Sequence, residues 1–305
     1  MLIATWNVNS LKARMDHVQW WLDRAQPDVL LMQETKLSDD DAPVVPFKML
    51  GFDLVHHGEG RWNGVAIASR LPIDSTSLVT NFGDGPVRDS GAGVGTNFSD
   101  EDFNPFDEAR MLSAIIGGTR FVSLYAPNGR VVGSPFYAGK LAWFDRLNRW
   151  LAEAAASGSN LVVGGDMNVA PTPADVWNEA AAHGGTHVSV PEREAFAELL
   201  THGLVDAYRA KRPEPARFTW WDYRAGNFHK NLGMRIDHLL VTSALADRVV
   251  FAEIDREARK GKPIPSDHAP LLIDIDEPGV PIDAGWEAAM DRIAARTRPS
   301  RAKPA

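Results

Sequence analysis

Short apolar runs recur along this 305-residue chain, and most of them meet an amide, a carboxylate or a histidine at one end. Leu2 to Val8 closes on Asn7-Val8-Asn9, and Val29 to Gln33 runs into Gln33-Glu34-Thr35-Lys36. Phe121 to Tyr125 leads into Ala126-Pro127-Asn128, and Leu161 to Gly165 into Asp166-Met167-Asn168. Ile236 to Thr242 carries Asp237-His238 at its start, and Leu271 to Ile275 follows Ser266-Asp267-His268-Ala269-Pro270. Val65 to Ser69 and Met111 to Ile116 complete the set. Several of these runs are apolar on both faces, which predicts strands buried inside a layered sandwich. A carboxylate set directly against a buried run is costly unless it meets a cation or hydrogen-bond donors. When several strands share this habit, their ends are expected to converge on one site.

Amphipathic helices are predicted between the strands. Leu11, Met15, Val18 and Leu22 recur at helical spacing, as do Leu141, Phe144, Leu147 and Leu151. Phe196, Leu199 and Leu200 mark another helix, stopped by Gly203. Strands mixed with helices in this order indicate an α/β or α+β sandwich. The strand pattern fills residues 1–276, read as one catalytic domain. Residues 277–305 read as a short helix bearing Trp286, Met290 and Ile293, then a basic tail with Arg296, Arg298, Arg301 and Lys303, expected to be disordered. Asn81 to Asp107, rich in Gly, Asp and Asn, reads as a long surface loop.

Composition removes whole classes of chemistry. With no cysteine there are no disulfides, thiolate zinc sites or cysteine nucleophiles, which fits a reducing compartment. The convergent groups are hard oxygens and amides with one histidine, a donor set suited to Mg²⁺ or Mn²⁺ rather than zinc. No stretch has the apolar length of a membrane span, so a soluble, cytoplasmic protein with no membrane partner is expected. The net charge of −8 disfavours tight, non-specific coating of nucleic acid. It leaves open a local grip assisted by a cation, which reverses the sign of an acidic pocket.

Taken together and in order, these motifs resemble the exonuclease III and apurinic/apyrimidinic endonuclease family, within the endonuclease/exonuclease/phosphatase superfamily. The resemblance runs from Met1 to about Ile275. Gly164-Gly165-Asp166-Met167-Asn168 and Ser266-Asp267-His268 are superfamily-wide features. Gln33-Glu34-Thr35-Lys36 points to the DNA-repair branch, as does Phe218-Thr219-Trp220-Trp221-Asp222-Tyr223-Arg224 followed by Gly233-Met234-Arg235-Ile236-Asp237.

The resemblance implies an α+β, four-layer α/β/β/α sandwich of the DNase I-like kind, with two central mixed sheets flanked by helices. It implies a metal-dependent nuclease that cuts duplex DNA 5′ of abasic sites and at 3′ ends, blocked ends included. Asn7, Glu34, Asp166, Asn168, Asp267 and His268 form the implied metal set, with Glu34 the principal ligand and Asn9 close by. Asp166 would orient or deprotonate the attacking water, and Asn168 would hold it. His268, oriented by Asp237, would donate to a phosphoryl oxygen from one side, and Tyr125 and Asn128 from the other. Trp220, Met234 and Ile236 would wall the pocket for a flipped-out sugar, and Arg110 and Arg130 would contact phosphates.

Each element alone has a plainer reading: a turn at Asn7, a helix-capping acid at Glu34, core packing at Trp220 and Trp221. Their joint occurrence in order outweighs those readings. Lys36, Arg224, Lys230 and Arg235 are further candidates for phosphate contact. The run Arg256, Arg259, Lys260 and Lys262 is either a solvated face or a second DNA contact. Ser10 stands where the family often has glycine, which is harmless if the backbone there is not left-handed. Two other functions are compatible with the chain: a phosphodiesterase or phosphatase for small-molecule or lipid phosphates, and a catalytically silent DNA-binding scaffold. A monomer is expected.

Overall fold

The computed structural model describes residues 1–83 and 104–297. Each apolar run of the sequence forms a strand there, and two six-stranded sheets collect them. One sheet contains β1 (Leu2–Asn7), β2 (Val29–Gln33), β3 (Asp53–His57), β4 (Val65–Ser69), β11 (Val249–Ile254) and β12 (Leu271–Ile275). Its order is β11-β12-β1-β2-β4-β3. The other contains β5 (Ile73–Thr80), β6 (Met111–Ile116), β7 (Thr119–Tyr125), β8 (Leu161–Asp166), β9 (Leu204–Asp206) and β10 (Asp237–Thr242), in the order β5-β6-β7-β8-β10-β9.

Pairing is antiparallel except at the middle of each sheet, where β1–β2 and β7–β8 run parallel. A parallel pair needs a crossover, and helices Leu11–Ala25 and Pro135–Ala156 supply them. The periodic apolar faces of those two helices cover the outer faces of the two sheets. Val18, Trp21 and Leu22 pack on Leu2, Ala4, Trp6, Leu30 and Met32. Trp143, Phe144, Leu147 and Leu151 pack on Val122, Leu124 and Val163. Between the sheets lies a third core, where Ile3, Val29, Leu31, Val65 and Ile67 meet Leu112, Phe121, Val162, Leu239 and Val241. Strand alternation sends Ile3 inward and Ala4 outward, so one strand feeds two cores. The result is the expected α+β, four-layer sandwich.

Four strands have no counterpart among the predicted runs: β3, β5, β9 and β11. They are the four sheet edges. An edge strand pairs on one side only and keeps polar residues, as the largely exposed β5 does, whereas β11 is apolar over Val249 to Ala252 and simply escapes the sequence reading.

Residues 277–297 stay on the same body. Trp286 at the start of helix Trp286–Thr297 is buried in the inter-sheet core, and its indole Nε1 donates to the Ile254 carbonyl at 2.7 Å. Residues 84–103 of the predicted Asn81–Asp107 loop lie outside the described residues, as do Arg298, Arg301 and Lys303 of the tail. Among the described residues no helix is long and apolar enough to cross a membrane.

Candidate active site

Open α/β sheets bind ligands beyond the carboxyl ends of their parallel strands. Here two such ends, from different sheets, face each other. Register puts Tyr125 beside Asp166 and Asp166 beside Asp237, while Asn7 pairs with Gln33, one residue before Glu34. Glycine permits the close approach: a Cβ on Gly164 would lie 2.6 Å from Leu31 Cδ1 across the sheet seam. A Cβ on Gly165 would lie 1.9 Å from the Leu124 carbonyl oxygen.

The side chains then interlock. Asn7 Nδ2 donates to Glu34 Oε1 at 2.8 Å and to Asp166 Oδ2 at 3.0 Å, bracketing carboxylates from the two sheets. Lys36 Nζ lies 3.0 Å from Glu34 Oε2 and donates to Asn9 Oδ1 at 2.7 Å. Asp166 Oδ1 accepts the Asn168 backbone N–H at 2.9 Å. The Asn168 amide donates to the Ala126 carbonyl at 3.0 Å and accepts from Asn128 Nδ2 at 3.2 Å. His268 sets Nδ1 2.8 Å from Asp237 Oδ2, leaving Nε2 3.8 Å from Asp166 Oδ2.

Burial and crowding set the charges. Burial, then Asp237 and Glu34 acting against the His268 charge, raise Asp166 to about 7. Burial opposes charge on His268, but Asp237 and Asp166 outweigh it and push the imidazole up to about 10. Burial and the neighbouring Glu34 charge hold the Tyr125 phenol well above its ordinary value, with Arg110 opposing.

Glu34, Asp166 and His268 each offer a ligand atom, all within 4.8 Å of one another. Carboxylates pressed together this way repel, and a divalent cation would relieve that repulsion. The donor set therefore fits a hard metal ion.

The other predicted residues distribute unevenly around the cluster. Asp267 stands beside it, its oxygens taken by Asn9 Nδ2 at 2.8 Å and Trp220 Nε1 at 3.1 Å. Asn7 and Asn168 use their amides as brackets. Arg110 is buried, ion-paired to Glu108 and donating to the Tyr125 carbonyl at 3.1 Å, so it supports Tyr125 from behind. Arg130 is exposed, 3.5 Å over the Phe136 ring. Trp220 and Met234 are half-buried and pack on Ile236, Val176 and Val188 in a small apolar cluster beside Asp267. Trp221 is fully buried in the inter-sheet core.

One expectation is corrected, and two that the sequence left open are narrowed. Arg235 is buried, with ion pairs of 2.7 Å to both Asp175 and Asp206, so it contacts no phosphate. Arg256 and Arg259 are likewise buried among Phe228, Trp221 and Trp286 or Tyr223, so the run Arg256 to Lys262 is no simple solvated face. Ser10 does sit at positive φ, 85°, where its hydroxyl accepts the Ala13 N–H at 3.4 Å and caps the first helix.

A supporting layer escaped the sequence reading. Buried Lys140 pairs with buried Glu192 and donates to the Asn168 carbonyl at 2.7 Å. His187 Nδ1 lies 2.6 Å from that same carbonyl, and its ring centroid is 6.5 Å from Trp220. The Ser189-to-Glu192 capping box was the one readable sign of this layer.

Two face-to-face sheets with a carboxylate–histidine cluster at their strand ends define a phosphodiester hydrolase. The chain belongs to the Endonuclease/Exonuclease/phosphatase family, whose sequence pattern it matches over residues 4–268. It is 29% identical over 282 residues to exodeoxyribonuclease III of Haemophilus influenzae, spanning 89% of this chain and 98% of that one. An AP endonuclease from Archaeoglobus fulgidus superposes with a TM-score of 0.80 at 34% identity, over 91% of this chain and all 100% of the other. A Neisseria 3′ phosphatase bound to a product DNA hairpin gives 0.79 at 35% identity, over 91% and 100%.

Proposed function

We propose that this chain is a Mg²⁺- or Mn²⁺-dependent DNA-repair nuclease of the exodeoxyribonuclease III type. It hydrolyses phosphodiester bonds 5′ of abasic sites and releases nucleotides or blocking groups from 3′ ends of duplex DNA. The observation that carries the reading is the convergence of Glu34, Asp166 and His268 near the apolar cluster of Trp220, Met234 and Ile236. On this reading the chain acts as a monomer in the cytoplasm.

Hydrolysis of a phosphodiester builds negative charge on the equatorial oxygens and on the departing 3′ oxygen. Glu34, with Asp166 beside it, would hold the metal ion, which when bound supplies a Lewis acid for that charge. Asp166, raised to about 7, is matched to accept a proton from water near neutral pH. Asn168 fixes Asp166 through its backbone N–H, and Asn128 fixes Asn168. His268, kept protonated by Asp237, aims Nε2 at the space beside Asp166 and can donate to a phosphoryl oxygen. Tyr125, kept protonated by burial, is a neutral donor from the β7 side. Trp220 and Met234, over buried Ile236, offer an apolar wall to a sugar without its base, which is cheap to unstack. Arg130, exposed beyond Asn128, is placed to meet a backbone phosphate.

The test is incision of a duplex bearing one abasic site and of a duplex with a 3′-phosphate end, each with Mg²⁺ or EDTA, alongside phosphoinositide and sphingomyelin. Metal-dependent cutting of DNA alone is expected. Turnover of the lipids instead would transfer the site to the phosphatase side of the family, and binding without turnover would make the chain a scaffold.

A further inference from the structure

A second concentration of cationic groups lies outside the cluster described above. Helix Trp286–Thr297, the short helix Asn227–Lys230 and the turn Arg256–Arg259 border a small, solvent-open cleft. Arg256, Lys260, Arg292, Arg296 and His229 line it, with Phe228 at its base. Among the described residues neither Arg256 nor Arg292 forms an ion pair with a carboxylate, and the only acid in an ion pair with this group is Glu257, on Lys260.

Arg256 makes the cleft more than a solvated patch. It is 2% exposed, its ring-side contact is Phe228 at 3.9 Å, and its Nε has no hydrogen-bond partner among the described residues. A buried guanidinium donor without an acceptor is costly. Burial, and then the Arg292 charge, hold Arg256 down at about 10, so the cations repel one another across the cleft. In a chain of net charge −8, several cations gathered around one hollow are not a product of composition.

We propose that this cleft is an anion site that takes a phosphate group, supplied by the backbone of bound DNA at a position away from the scissile bond. Guanidinium forks match phosphate oxygens, and an incoming oxygen would satisfy the Arg256 donor and relieve the repulsion. The cleft is also joined to the active site through packed groups. Phe228 stacks edge-on to Trp221 at 5.2 Å, and the Trp221 backbone N–H donates to the Asp267 carbonyl at 3.1 Å. A phosphate held here would fix the duplex relative to the Trp220 pocket. The choice of DNA as source rests on the nuclease reading; the phosphate chemistry does not.

The test uses Arg292→Ser with Arg296→Ser, both exposed, so folding is not at risk. The control is Arg149→Ser, an exposed cation on the far helix. For the double variant, KM for a long duplex should rise about tenfold. The slope of log affinity against log salt should fall by about one unit for each phosphate the variant no longer holds. The loss should appear in KM rather than in kcat. Inorganic phosphate binding, followed by ³¹P line broadening, should weaken in parallel. Weaker phosphate binding with unchanged duplex KM would keep the site and move its source to a free phosphate. An equal effect from Arg149→Ser, or no change in either KM or phosphate binding, would overturn the proposal. If the wild-type chain cuts no DNA, the nuclease reading fails, and the phosphate measurement still decides the site.

Discussion

His268 Nδ1 lies 2.8 Å from Asp237 Oδ2, while Asp237 Oδ1 is buried with no hydrogen-bond partner among the described residues. That carboxylate therefore has the His268 imidazole as its one side-chain hydrogen-bond partner among the described residues. It fixes the ring, assigns the proton on Nδ1 and leaves Nε2 pointing at Asp166.

Asp237→Asn keeps the shape and removes the charge. We expect kcat to fall by about 10²–10³, the scale for loss of a well-placed donor, with KM little changed. The His268 imidazole should at the same time titrate well below its present value of about 10. Imidazole ¹⁵N shifts across a pH series would check this, and an unchanged titration with full activity would remove Asp237 from the role.

Glu34→Gln tests the metal reading without DNA. Calorimetric titration with Mn²⁺ should show affinity reduced at least about tenfold, a loss typical of disturbed metal sites. Near-ultraviolet dichroism should stay that of the wild type, because Glu34 lies at a strand end outside the cores. Unaltered Mn²⁺ binding would place the ion elsewhere.

The two adjacent tryptophans should separate cleanly. Trp221→Ala empties a site in the inter-sheet core and should cost about 3–5 kcal/mol of stability by denaturant melts. Trp220→Ala should cost far less stability and lose incision at abasic sites, read as kcat/KM. Similar stability losses for both would mean that Trp220 is core as well.

Arg235, Asp175 and Asp206 predict an acid limit to stability. Burial works against charge on both carboxylates, but Arg235 outweighs it and holds them below the ordinary range. In the unfolded chain such groups take up protons near pH 4, whereas in the folded chain they do so lower, so unfolding binds protons in that window. Their contribution is complete above about pH 4 and drains as pH falls through the folded values. Arg235→Ala should cost about 3–5 kcal/mol at neutral pH by taking the guanidinium from Asp206 and leaving buried Asp175 with Arg209 alone. It should also flatten the acid limb of the melting curve.

The catalytic groups were legible because each interrupts an apolar run: Asp166 after Leu161–Gly165 and Glu34 after Val29–Gln33 leave a polar signature that linear order preserves. The edge strands were not legible, because β5 and β9 carry the mixed faces that half-paired strands require. Trp220 and Trp221 look alike in sequence, and only the Trp220 indole reaches Asp267. Basic residues misled for a related reason. Arg235 adjoins motif residues along the chain, but which acid receives its guanidinium is decided by folding. Lys140 and Glu192 sit 52 positions apart and belong to no shared motif, and their joint grip on the Asn168 loop exists only in three dimensions.

Glu34 belongs to one sheet and Asp166 to the other, and His268 arrives only after most of the chain has been laid down. A polypeptide still emerging from the ribosome consequently owns no cutting centre, and a molecule whose halves have slid apart forfeits it at once. Assembly itself acts as the safety catch on an activity aimed at the genome.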